Sequence, residues 1–98
     1  MYYTDEFGTR QFVEVKASRD ANLIFYLSES EFQFARSHAD VYQIIYVHIG
    51  DDGKPVKLYR LGHLFQLADN ETLFDNKRFT IESNSYTITA TLTDLAAD

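Results

Sequence analysis

A chain of 98 residues with 45% apolar and 15% aromatic content is long enough for one domain with a single core, and too apolar for a disordered tail. The absence of cysteine excludes a disulfide framework and a thiolate metal site, and a net charge of −6 counts against a free-standing nucleic-acid binder, whose affinity comes mostly from Lys and Arg on phosphates. The longest apolar stretch, LIFYL, is too short to span a bilayer, and MYYTDEFG lacks the basic-then-apolar order of a signal peptide, so a soluble, cytoplasmic protein is expected.

The N-terminal residues predict a hairpin, with MYYT and RQFVEVKA flanking the acidic, glycine-containing turn DEFG. Pairing Thr4 with Thr9 sets Tyr3 opposite Arg10, Tyr2 opposite Gln11 and Met1 opposite Phe12. Strand alternation then sends Val13 and Val15 to one face and Phe12, Glu14 and Lys16 to the other. ANLIFYLS is apolar on both faces and predicts a central strand buried on both sides. Ser28 with Glu31 three residues on forms a capping box that starts a helix, with Phe34, Ala35 and His38 on its apolar stripe and an end near Asp40.

VYQIIYVHIG reverts to β-branched and aromatic residues and reads as a second central strand. DDGKP is a turn, VKLYRL a strand and HLFQLA a short helical turn. RFTIE and YTITATLT predict a closing hairpin around SNS, with Tyr86, Ile88, Ala90 and Leu92 facing in and the intervening threonines facing out. A helix tucked between strands of a mixed sheet is an α/β or α+β arrangement.

The chemistry rests on Glu14 and Lys16. Phosphodiester hydrolysis by a metal requires a divalent cation held by carboxylates, and a nearby lysine favours hydroxide and stabilises developing charge. Glu at i and Lys at i+2 of a strand leave the same face, which meets that demand; the same pattern also arises on ordinary solvated strands.

FVEVKAS followed by FYLSESEFQFARSHADVYQIIYV resembles the C-terminal domain family typified by the plant protein NO VEIN, on Glu14, Val15, Lys16, Leu27, Ser28, Glu31, Ala35, His38, Asp40 and Tyr42. The resemblance is clear over residues 7–50 and implies kinship with the restriction-endonuclease-like PD-(D/E)xK superfamily. A mixed β-sheet with a helix between central strands is then expected, together with nuclease chemistry on nucleic acid in DNA defence or processing. The resemblance implies Glu14 and the Val15 backbone carbonyl as ligands of a Mg²⁺-type ion, and Lys16 as catalytic lysine. It also implies an Asp on the strand paired with the Glu-Val-Lys strand. In the register above that position falls before Met1, and Asp5 and Glu6 lie in the turn at the far end. The helix that precedes the core in the family is not found either, so the expectation is a truncated or degenerate nuclease-like domain, a module of a larger protein.

Other candidates have plainer readings. His38, His48 and His63 lack ligand spacing, and His38 suits a helix C-terminus. Glu31 is accounted for by the capping box. Tyr42 and Tyr46 suit packing under the helix better than base stacking. Arg19 and Arg36, with Arg10 and Lys16, form a candidate phosphate-facing patch; the alternative for Arg36 is an ion pair with Asp40. The second functional class is a non-catalytic module that docks a partner or pairs with itself through an open sheet edge.

Overall fold

The computed structural model describes residues 1–20, 22–82 and 86–91. Along the chain come β1 (Tyr2–Thr4), β2 (Arg10–Ser18), β3 (Ile24–Tyr26), α1 (Glu29–Ser37), β4 (Tyr42–Ile49), β5 (Pro55–Gly62), β6 (Phe79–Glu82) and β7 (Thr87–Ala90). Four strands form a mixed sheet in the order β1-β2-β4-β5, and three form an antiparallel sheet in the order β3-β7-β6. β2 and β4 run parallel, which no tight hairpin can join; β3 and α1 occupy the crossover between them. The architecture is a small mixed α+β fold.

Alternation builds the core. Tyr42, Ile44 and Tyr46 project from one face of β4 and are almost fully buried, with Tyr59 and Leu61 beside them on β5. Phe32 and Ala35 of α1, Phe25 of β3, Ile88 and Ala90 of β7, and Phe79 of β6 close over that face. The capping box of Ser28 and Glu31 starts α1 as expected, and the helix stops at Ser37 with His38 as its C-cap.

Four expectations are corrected. β3 is not a central strand of the main sheet. It has only three residues, pairs with β7, and leaves Tyr26 66% exposed. Leu23, at φ 60, bends the chain immediately before it, and the N-cap at Ser28 follows two residues after it, so no longer strand fits between. The first hairpin is shifted by one residue, with Tyr2 opposite Phe12, Tyr3 opposite Gln11 and Thr4 opposite Arg10. The turn runs one residue longer than DEFG because the Asp5 carboxylate accepts from the N–H groups of Phe7 and Thr9, both at 2.9 Å, and Gly8 takes φ 82. Residues 63–68 make a turn but no helix. The final strand is shorter than YTITATLT, with Ile88 and Ala90 buried; SNS, Leu92 and Thr93 lie outside the described residues.

Candidate functional site

β2 presents Glu14 and Lys16 to the first turn of α1. Lys16 Nζ donates to both Glu31 oxygens at 3.1 Å and stands 3.5 Å from Glu14 Oε1. The capping box is what brings Glu31 there. Its backbone N–H donates to Ser28 Oγ at 3.2 Å, and its Oε1 accepts in return from the Ser28 N–H at 2.8 Å. Those bonds fold the side chain back over the helix start, towards β2. Glu31 therefore caps the helix and is also the second carboxylate beside Glu14, a role that sequence reasoning missed because the cap alone accounted for the residue.

The two acids shift in opposite directions. Burial pushes the Glu14 carboxyl above its ordinary value, its hydrogen bond with Glu31 pushes the same way, and Lys16 pulls it down. Glu31 is held at about 2, first by the hydrogen bond from Glu14 and further by the Ser28 N–H and Lys16. Two carboxylates in contact with one ammonium between them favour this split.

A cavity of about 300 Å³ opens beside the acids, lined by Tyr2, Phe12, Glu14, Ser30, Glu31, Phe34 and Tyr42. Phe12 anchors its aromatic wall, with ring centroids 4.8 Å from Tyr2, 5.1 Å from Phe34 and 5.4 Å from Tyr42. The shifted hairpin register puts Tyr2 on this side, since a one-residue slip exchanges the faces of a strand. Tyr42 is 1% exposed and its hydroxyl is buried without a hydrogen-bond partner. Burial, then the charges of Glu14 and Glu31, hold that phenol protonated well above its usual range.

Backbone direction matters at Val15. Val13 exchanges hydrogen bonds with Met1, while Phe12 N–H donates to Val41 ahead of β4. By alternation the N–H and C=O of Val15 and Ala17 point to the β1 side, beyond the last β1 pair, where no strand among the described residues covers them. The Val15 carbonyl is thus open at the sheet edge next to Glu14.

The basic residues do not gather around Lys16. Arg36 lies 5.9 Å from the centroid of the Phe32 ring, and five residues of helix set it about 140° around the axis from Glu31. Arg10 stacks 4.2 Å over Tyr2, and Arg19 is exposed just past the end of β2. Tyr46 donates to the Asp20 carbonyl from a buried position, so neither Tyr42 nor Tyr46 offers a free ring face. The histidines are dispersed: His38 bonds the Phe34 carbonyl, His48 sits on β4, and His63 bonds Gln11 Oε1 at 3.0 Å. Gln11, 7% exposed, also binds Asp5 and Gln43 on the sheet face away from α1. No group of three or more His, Cys, Asp or Glu suited to a metal ion occurs among the described residues.

A family model described as "Protein NO VEIN, C-terminal" matches residues 2–61, which include Glu14, Lys16, Glu31 and Tyr42. No curated protein and no solved structure matches the chain.

Proposed function

The chain belongs to the family of the C-terminal domain of protein NO VEIN, and on that footing we propose that it is a PD-(D/E)xK nuclease-like domain, acting on nucleic acid with Glu14 and Lys16 at its centre and with its metal site weakened. The observation that carries the reading is the convergence of Glu14 and Lys16 on one face, 3.5 Å apart and half-buried, with Glu14 on the wall of a cavity. A solvated strand pair would have no reason to be walled in.

The donor set suits a hard cation of the magnesium type, which takes one or two carboxylates with waters and substrate phosphates. Glu14 and the open Val15 carbonyl would hold it, and it would supply Lewis-acid polarisation of a phosphoryl oxygen together with an activated water. The chain's own residues do the rest. Lys16 stabilises negative charge developing beside Glu14, and the aromatic wall limits access of bulk water. Glu31 opposes the arrangement by engaging Lys16 through both oxygens, which ties up the lysine and the second acid together. Affinity for the cation is therefore low.

Nicking of supercoiled plasmid DNA, measured across a Mn²⁺ and Mg²⁺ titration, tests this. Slow metal-dependent nicking is expected, half-saturating at millimolar metal and abolished in Glu14→Ala and Lys16→Met. No nicking at any metal concentration would exclude catalysis.

One observation favours a second reading, a docking module: the unpaired backbone of Val15 and Ala17, with Val15 49% exposed. Exposed strand edges add strands. If the chain self-associates by sedimentation, Ala17→Pro should return it to monomer, because it deletes only an N–H that faces away from β4.

A further inference from the structure

We propose that the cavity beside α1 is a receptor for an organic cation, an alkylammonium or guanidinium group, seated between Glu14 and the Tyr42 hydroxyl and walled by aromatic rings. This goes beyond the nuclease reading and does not rest on it.

Charge comes first. Two carboxylates flank one ammonium, Lys16, and no Lys or Arg is among the residues that line the cavity. With no metal ion bound, an anionic ligand such as a phosphate would be repelled, whereas a cation restores neutrality. The second observation is independent of the acids. Tyr42 lines the cavity and its buried hydroxyl has no partner, and native structures seldom leave such a group unbonded. A cation that donates several N–H groups bonds it and Glu14 together.

The walls then decide the kind of cation. A magnesium-type ion held by Glu14 and the edge carbonyl of Val15 would keep its waters and make no use of aromatic rings. Here Tyr2, Phe12 and Phe34 line the cavity, and aromatic rings attract an ammonium or guanidinium carried on hydrocarbon. The chain already makes that kind of contact on one of these rings, where the Arg10 guanidinium lies 4.2 Å over Tyr2. A volume of about 300 Å³ stands at the small end of ligand pockets and suits a head group more than a nucleotide. The cation can arrive as a free amine or as a Lys or Arg side chain of a partner protein, since both carry the same head group.

NMR titrations of the intact chain in excess EDTA, at matched ionic strength, test the proposal. The probes are n-butylammonium, its neutral isostere n-butanol, and the capped side-chain analogues acetyl-arginine amide and acetyl-lysine amide. With EDTA present no divalent ion contributes, so the outcome is separate from that of the nicking assay. Saturable shifts at Phe12, Glu14, Phe34 and Tyr42 are expected with the cations, with n-butanol weaker by about tenfold or more. Glu14→Gln should lose about the same factor, and Tyr42→Phe, which keeps the ring, should weaken binding several-fold. A stronger response to the capped side chains points to a protein partner, and a stronger response to the free amine points to a small molecule. Shifts that do not saturate, equal responses to amine and alcohol, or undiminished binding by Tyr42→Phe would overturn it.

Discussion

Lys16 is shared by two acids that respond to pH in opposite directions. Glu31 titrates at about 2 against an ordinary 4.5, so it contributes stability that is complete above pH 4.5 and is lost as pH falls towards 2. Glu14 is raised, so its contribution is present below pH 4.5 and is lost as pH climbs through its folded value. Ionised Glu14 therefore costs stability at neutral pH. Acid-to-amide changes at the two positions should shift stability at pH 7 in opposite senses. Glu31→Gln is expected to lose about 1 kcal/mol, allowing for partial exposure, and to flatten the profile between pH 4.5 and 2. Glu14→Gln is expected to gain a few tenths of a kcal/mol, up to about 1. Urea melts at a series of pH values measure both, and equal signs at pH 7 would contradict the opposed shifts of the two acids.

The start of α1 couples secondary structure to chemistry. Ser28 satisfies the Glu31 N–H, and Glu31 returns the bond while holding Lys16. Ser28→Ala should cost about 1 kcal/mol in urea denaturation, the ordinary loss of an N-cap. Alanine keeps the backbone N–H of position 28 that bonds the Glu31 carboxylate, so the Glu31 pKa should stay well below its ordinary value in this variant, read by carboxyl-carbon NMR titration. A Glu31 pKa that rises would mean that the Ser28 hydroxyl also aims the carboxylate. The first hairpin has a comparable consequence. One extra residue in its turn, stabilised by Asp5, rotates Tyr2 towards Phe12 and so completes the aromatic wall.

The two sheets share one core, with Ile88 of β7 and Ile44 of β4 in the same buried cluster. Neither sheet buries enough alone, so they should unfold together. Ile88→Ala is expected to cost about 2–5 kcal/mol in total stability. Far-ultraviolet dichroism and tyrosine fluorescence, usable because the chain has seven Tyr and no Trp, should report one coincident transition. Separate midpoints would show that the β3-β7-β6 sheet is an independent unit. No helix among the described residues is long and apolar enough to cross a membrane.

Local rules made much of this readable from the chain. Alternation put Glu14 and Lys16 on one face, the Ser28 and Glu31 spacing located the helix start, and β-branched and aromatic residues marked β4 as a strand, because each depends on neighbours within about four residues. β3 misled because an apolar run on both faces does not say which sheet covers it; its partner β7 lies more than sixty residues on. The offset in the hairpin, the approach of Glu31 to Lys16, and the unbonded Tyr42 hydroxyl arise from turn length and from packing between distant segments. Periodicity assigns a side chain to a face, and only the assembled sheets and helix bring faces together. The pair Glu14 and Lys16 was written in the order of residues, whereas the cavity, its second acid and its aromatic wall exist only where β1, β2, α1 and β4 meet.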